Sequence, residues 1–153
     1  MRPGCSVSQV AEVRAGVSIF SRMTGEELER IAGLATERLF QKGDVVIREG
    51  ERDQRLFVVA SGELIVIKGL GTENERQIRL LKPYSYFGEM SLIDDSIRSA
   101  SVIALEEASV ISLDHLNLFQ EIERCPSLGI EMLKTLSKRI RTIEKQMLKA
   151  IGV

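Results

Sequence analysis

The residues of this chain that could do chemistry together lie between Phe87 and Val102, which read Phe-Gly-Glu-Met-Ser-Leu-Ile-Asp-Asp-Ser-Ile-Arg-Ser-Ala-Ser-Val. Gly88 lets backbone approach a ligand with no side chain in the way. Glu89 to Ile93, with Met90 and Ser91 inside, can form one helical turn whose free N–H groups face a bound phosphate. Arg98 supplies a forked, permanently charged donor that suits the two free oxygens of a phosphate diester. Ser99 adds a hydroxyl. Glu89 is repelled by a phosphate, so its role lies elsewhere: a carboxylate accepts well from a sugar hydroxyl. Anion donors and a sugar acceptor in one loop point to a nucleotide with an unblocked 2′-hydroxyl. A plainer reading stands beside this one, in which Phe87, Met90, Leu92 and Ile93 are core and Arg98 is a solvated surface arginine.

The same stretch resembles the phosphate-binding cassette of cyclic nucleotide-binding domains, found in bacterial catabolite activator proteins, protein kinase regulatory subunits and cyclic nucleotide-gated channels. The pattern is Phe-Gly-Glu-Leu/Met-Ala-Leu, a few residues, then Pro-Arg-Ser/Thr/Ala-Ala. Phe87, Gly88, Glu89, Met90, Leu92, Arg98, Ser99 and Ala100 match it. Ile97 stands where the family has proline, which implies a less rigid loop. Tyr84-Ser85 replaces a common Gly-Asp, a turn variation away from the ligand. A second block, Lys42 to Gly50 followed by Leu56 to Val59 and Ser61 to Leu64, is similar to the family's barrel-forming repeat. The resemblance implies that Phe87, Gly88, Glu89, Met90, Ser91, Arg98 and Ser99 bind a cyclic nucleotide. It also implies that Val66, Ile78 and Arg79 line the base, and that Thr142, Ile143 and Glu144 reach it from a later helix.

The elements that must position these groups follow from composition and pattern. The 153 residues, 44% hydrophobic and 28% charged, suit one soluble globular domain, taken here as 1–153. A formal net charge of −1 gives no general attraction to nucleic acid or anionic membrane. Cys5 and Cys125 are too few for a disulfide framework. No signal core or apolar run of spanning length is present, so a cytoplasmic location is the expectation. The single histidine, His115, cannot build a metal centre, and no nucleophile–base constellation exists. We therefore expect no metal and no catalytic residue.

Met1 to Ser6 read as a frayed end. Val10, Val13, Val17, Phe20 and Met23 recur at helical spacing, and Thr24-Gly25-Glu26-Glu27 is a capping box. Together they predict a helical lead-in over 7–35. From residue 36 to 113 short β-branched and aromatic runs alternate with glycine and charged turns. Strands are predicted at Glu37–Phe40, Val45–Arg48, Arg55–Ala60, Glu63–Lys68, Gln77–Leu81, Tyr86–Phe87, Ser99–Ala104 and Ser109–Leu113, with a hairpin tip at Gly69–Glu75. About eight short strands favour a mainly β double-sheet jelly roll with flanking helices. Asp114 can cap a helix over 114–124. Pro126 suits the first turn of a last helix over 127–150, about 35 Å long. Leu133, Leu136, Ile140, Ile143, Met147 and Ala150 fall on a heptad stripe there, which predicts a homodimer seam. Lys134, Lys138, Arg139, Arg141, Lys145 and Lys149 make this helix basic, but no aromatic residue is interleaved for base stacking, so they read as a solvated face.

The function that the resemblance implies is a cyclic nucleotide sensor, not an enzyme, with cyclic AMP favoured over cyclic GMP because in the resembling family a serine after the arginine, as Ser99 here, is common among cyclic AMP-binding regulators. Two alternatives are an effector fragment of a catabolite activator-type transcription regulator and a ligand-free dimerising domain. The chain ends at Val153 without room for a helix-turn-helix, so no specific DNA binding is expected of it.

Overall fold

Alternation of side chains along a strand decides what each face touches. In β4 (Arg55–Ser61), Leu56 and Val58 point to one side and Phe57 and Val59 to the other, and all four are buried. Both faces of this strand are therefore covered, one by a second sheet and one by helices. The computed structural model describes residues 2–3 and 17–153. Around β4 its strands are β1 (Arg2–Pro3), β2 (Thr36–Phe40), β3 (Val45–Ile47), β5 (Leu64–Lys68), β6 (Arg76–Leu81), β7 (Tyr86–Phe87), β8 (Ser101–Ala104) and β9 (Ala108–Asp114). They form two antiparallel sheets, ordered β1-β2-β9-β4-β7 and β3-β8-β5-β6. This is the double-sheet roll that the strand spacing predicts.

Two cores follow from the alternation. Phe57, Val59, Leu64, Leu81, Phe87, Val102 and Val110 fill the space between the sheets. Phe57 and Phe87 stack there with ring centroids 5.1 Å apart. Leu56, Val58, Tyr86, Ile111 and Leu113 face outward and pack against helices α1 (Gly25–Leu34), α3 (His115–Arg124) and α4 (Pro126–Ala150). Leu92 joins this second core from a short helix, α2 (Glu89–Asp94).

Local chemistry sets the helix ends. Thr24 accepts from the Glu27 N–H at 3.2 Å, and Glu27 accepts from the Thr24 N–H at 3.1 Å, closing the capping box at α1. Asp114 caps α3 through the Asn117 N–H at 2.9 Å. Pro126 opens α4, where its missing N–H costs nothing. Glu121, fully buried on α3, takes Nε of Arg30 at 2.9 Å and its Nη2 at 2.9 Å, which ties α1 to α3.

Several expectations change. Val17, Phe20 and Met23 are buried, but Ser18–Phe20 is a single 3-10 turn and an α-helix begins only after Thr24. The expected helix over Val10 and Val13, like Cys5, lies outside the described residues. Arg2–Pro3 is not frayed but pairs antiparallel with Thr36 and Glu37. The strand expected from Ser99 begins at Ser101, the first residue to pair with Ile67 of β5. The Ser99 carbonyl instead accepts from Lys68 Nζ at 2.6 Å.

Candidate functional site

The turn from β7 into α2 is where the sheet hands the chain to a helix. Phe87 anchors it by stacking on Phe57, and Gly88 makes the bend with φ +87°. A Cβ on Gly88 would lie 2.7 Å from Nη1 of Arg98 and 2.9 Å from the Arg55 carbonyl oxygen, so the close approach also requires glycine. Residues Glu89 to Leu92 then present the unpaired N–H groups of a helical first turn. Glu89, Ser91 and Leu92 are buried, and Met90 is exposed. Ser91 donates its hydroxyl to the Ile97 carbonyl at 3.3 Å, which closes the loop on itself.

Arg98 lies under this turn, 3% exposed. Its Nη1 donates to the Gly88 carbonyl at 2.8 Å and its Nη2 to the Arg55 carbonyl at 2.9 Å. Asp53 stands 3.5 Å from Nη2 and also holds Nε and Nη2 of Arg55 at 2.9 and 2.8 Å. The fork expected to face a phosphate is thus partly spent on backbone carbonyls. Its Nε–H is buried and has no hydrogen-bond partner among the described residues. A buried donor left unpaired costs free energy until an acceptor arrives. Burial also presses the Arg98 guanidinium below the ordinary arginine range, against the pull of the Asp53 carboxylate. Burial pushes Asp53 up in turn, but the hydrogen bonds and charges of Arg55 and Arg98 outweigh it and hold Asp53 below its usual value.

These groups line a cavity of about 530 Å³, within the ordinary range for small-ligand sites. Its walls include all of Phe87, Gly88, Glu89, Met90, Ser91, Arg98 and Ser99. Val66, Ile78 and Arg79 come from β5 and β6, and Thr142 and Ile143 from α4. Glu144 is not among the lining residues: it is exposed and makes no hydrogen bond or ion pair among the described residues. Ile47, Lys68, Ala100, Val102, Arg139 and Gln146 also line the cavity. Arg139 overturns its reading as part of a solvated face, because its Nη1 is bonded to Oε1 of Glu89, whose side chain is only 2% exposed. Positions 139, 142, 143 and 146 share one helical face at spacings of three, four and seven, but that spacing alone does not say which face meets the cavity.

Arg79 is the cation without a close partner. It makes no hydrogen bond or ion pair among the described residues, and burial together with the charge of Arg139 lowers its affinity for its proton. Lys68 is held by Glu49 at 3.5 Å, Arg98 by Asp53 and Arg139 by Glu89. The cavity therefore has one buried carboxylate on Glu89, one unsatisfied buried donor on Arg98 and, on Arg79, a guanidinium with no hydrogen bond or ion pair among the described residues that still feels the charge of Glu89. No group of three or more His, Cys, Asp or Glu among the described residues could hold a metal ion. No helix among them is long and apolar enough to cross a membrane.

Comparison with known proteins agrees with this geometry. A sequence profile of the cyclic nucleotide-binding domain matches residues 37–125. The chain is 30% identical over 132 residues to the cyclic AMP receptor protein of Thermus thermophilus, covering 86% of this chain and 61% of that protein. It is 33% identical over 109 residues to a cGMP-dependent protein kinase of Caenorhabditis briggsae, covering 70% of this chain and 15% of the kinase. The crystal structure of the Thermus thermophilus catabolite activator protein superposes with a TM-score of 0.77 at 30% identity, over 85% of this chain and 61% of that one. The chain thus spans about three fifths of the receptor protein and a small part of the kinase.

Proposed function

This chain belongs to the cyclic nucleotide-binding domain family, and we propose that it is a sensor module which binds a 3′,5′-cyclic nucleotide in the cavity under α4. The observation that carries the reading is the pairing of a buried carboxylate on Glu89 with an unsatisfied buried donor on Arg98, on the two sides of Gly88. In this reading Arg98, Ser99 and the backbone from Gly88 to Ser91 take the cyclic phosphate. Oε1 of Glu89 is occupied by Arg139, and Oε2 accepts from the ribose 2′-hydroxyl. Phe87 holds the turn from behind, and Met90 sits at the rim. Val66, Ile78, Thr142 and Ile143 supply apolar and polar contacts to the base. The module is regulatory, not catalytic. It binds no DNA in a sequence-specific way through these residues.

Ser99 after Arg98 favours cyclic AMP, as in the activator-type regulators that the cassette resembles. Arg79 favours a second reading. An unpaired guanidinium at the base end of the cavity can bond both O6 and N7 of guanine, whereas adenine offers it an amino group of the wrong polarity. Calorimetric titration with both nucleotides decides between them. If guanine is read, Arg79→Ala loses cyclic GMP and keeps cyclic AMP. Arg98→Ala and Arg98→Lys should both bind poorly, because a point charge cannot replace the fork; a charge-assisted bond here contributes about 1.5–3 kcal/mol. Unchanged affinity in Arg98→Ala refutes the site.

Signal leaves the module through α4. Only Leu128 and Met132 of this helix are fully buried, and from Ile140 onward every residue is exposed. Ligand contacts with Thr142 and Ile143 would hold the outer half down. Amide exchange between Leu133 and Met147 is expected to slow on adding nucleotide; exchange indifferent to saturating ligand makes α4 a fixed strut. The stripe of Leu133, Ile140, Ile143 and Met147, exposed in one copy, supports a homodimer through the same helix.

A further inference from the structure

Two peptide planes flank Ser99, and each is pinned by a different part of the chain. A peptide is planar, so fixing the plane before a residue and the plane after it sets both of that residue's backbone dihedrals. The plane before Ser99 is held by the turn 48–51, where the Gly50 N–H donates to the Arg98 carbonyl at 2.8 Å. The Arg98 N–H donates back to the Glu51 carbonyl at 2.9 Å. The plane after Ser99 has no such support. Neither the Ser99 carbonyl nor the Ala100 N–H makes a backbone–backbone hydrogen bond among the described residues, and β8 starts to pair only at Ser101. Lys68 supplies the missing anchor, with Nζ on the Ser99 carbonyl at 2.6 Å. It reaches that carbonyl because alternation along β5 sets Lys68 on the face of Val66, and both line the cavity. Glu49 holds Lys68 in turn: Oε2 lies 3.5 Å from Nζ, and Oε1 accepts from the Gly69 N–H at 3.0 Å. The Gly69 bond, with the charge of Lys68, keeps Glu49 below the ordinary carboxylate range against partial desolvation. The Glu49 N–H also donates to the Ser101 hydroxyl at 3.0 Å. One short turn therefore grips the chain at 98 and 101, and its carboxylate reaches 99 through Lys68.

We propose that Lys68 and Glu49 form a clamp that positions Ser99 for the anionic end of the ligand. Ile97 leaves the loop without the fixed φ of a proline before Arg98, and the clamp holds the residues that follow instead. Ser99 lines the cavity, and its hydroxyl makes no hydrogen bond among the described residues. With its φ and ψ set, that hydroxyl has only side-chain rotation left to choose. Lys68 is thus a positioning residue that acts through the Ser99 carbonyl, and Glu49 acts through Lys68. The inference rests on the sensor reading for the phosphate that Ser99 meets, but not for the clamp itself. A rival role for Lys68, as a second cation on the phosphate, predicts the opposite sign at Glu49. Removing the Glu49 charge would then leave Lys68 freer and the cavity more positive, and affinity would rise. Under the clamp the same change lets Lys68 and Ser99 move, and affinity falls.

The test uses the whole chain. Calorimetry with cyclic AMP and cyclic GMP should show Lys68→Met and Glu49→Gln each weaker than wild type by roughly three- to tenfold, with Lys68→Arg close to wild type. In a Ser99→Ala background Lys68→Met should cost less than about twofold, because the hydroxyl it positions is gone. Nuclear magnetic resonance of the chain without nucleotide reads the clamp directly. The Ala100 amide shares its peptide with the Ser99 carbonyl, so its resonance should shift and its order parameter fall in Lys68→Met and in Glu49→Gln. Affinity of Glu49→Gln at or above wild type overturns the proposal. So do fully additive losses from Lys68→Met and Ser99→Ala, or an Ala100 amide indifferent to Lys68→Met. If the Ala100 amide responds as expected but neither nucleotide binds the wild-type chain, the sensor reading is refuted and the clamp is supported.

Discussion

Gly88→Ala isolates the close approach on which the cavity depends. Two costs act on it, and a second glycine separates them. The first is conformational: at φ +87° an L side chain sits in the left-handed region, at a cost of about 1–2 kcal/mol. The second is contact: the new methyl would lie 2.7 Å from Nη1 of Arg98 and 2.9 Å from the Arg55 carbonyl. That carbonyl belongs to a paired strand, with Arg55 opposite Asp114, so it yields little. The guanidinium yields instead and gives up its bond to the Gly88 carbonyl. Overpacking of this kind costs about 1–3 kcal/mol. Gly71, at φ +79° with nothing within 4 Å of its Cβ position, carries the first cost alone. We expect urea unfolding to show a loss of about 1–2 kcal/mol for Gly71→Ala and about 2–5 kcal/mol for Gly88→Ala. Only Gly88→Ala should also weaken nucleotide binding in calorimetry, because Arg98 has moved. Equal stability losses in the two variants, with full ligand affinity in Gly88→Ala, would refute the argument from contact.

Two further outcomes are expected. Tyr84 is held at φ 73°, an uncommon conformation for a bulky residue, and its N–H bonds the Val59 carbonyl at 2.7 Å. Tyr84→Gly removes strain of about 1–2 kcal/mol and gives back part of it through the looser unfolded chain, so the unfolding free energy should rise by a net of about 0.5–1 kcal/mol and the urea midpoint with it. A fall in the midpoint means that packing of the ring outweighs the strain. Asp53 titrates below its usual value when folded, so its contribution is present above the unfolded carboxylate pKa near 3.9 and is lost as pH falls through the folded value. Asp53→Asn should therefore be less stable than the parent at pH 5 to 7, and the gap should close below about pH 4. A gap that persists undiminished in urea melts at pH 3 removes Asp53 from the acid response.

The parts of this molecule legible in the sequence are those set by local rules. The β-branched and aromatic run in Arg55–Ala60, the capping box at Thr24 and the proline at 126 each act within a few residues, and each stands in the structure as read. The roll itself was legible because many short runs with turn residues between them leave few other architectures. What local rules do not carry is helical phase relative to a distant wall. In sequence Thr142, Ile143 and Glu144 form one group that the resemblance sets near the base, but neighbours on a helix are about 100° apart, and only the first two line the cavity. Arg139 was hidden for the same reason: six cations on one helix look alike until β7 and α2 bring Glu89 beneath one of them. The inward turn of Arg98 was hidden because its partners are the carbonyls of Gly88 and Arg55, groups that every residue carries.

The outer half of α4 is where these levels meet. Ile143 lines the cavity and also belongs to the exposed stripe, so in the proposed reading a nucleotide and a second copy would draw on one face of one helix. That half is not held by the core of its own sheets, since burial stops at Met132 and only partial cover continues to Arg139. The bond from Arg139 to Glu89 is one tie between this half of α4 and the cavity wall. A helix held this lightly needs little to reposition it: a difference of about 1.4 kcal/mol in ligand affinity between two helix positions changes their ratio tenfold. In the proposed reading, Glu89 beneath Arg139 is both the ribose acceptor and a tie to α4. In the proposed reading, occupancy of the site would reach α4 through this contact.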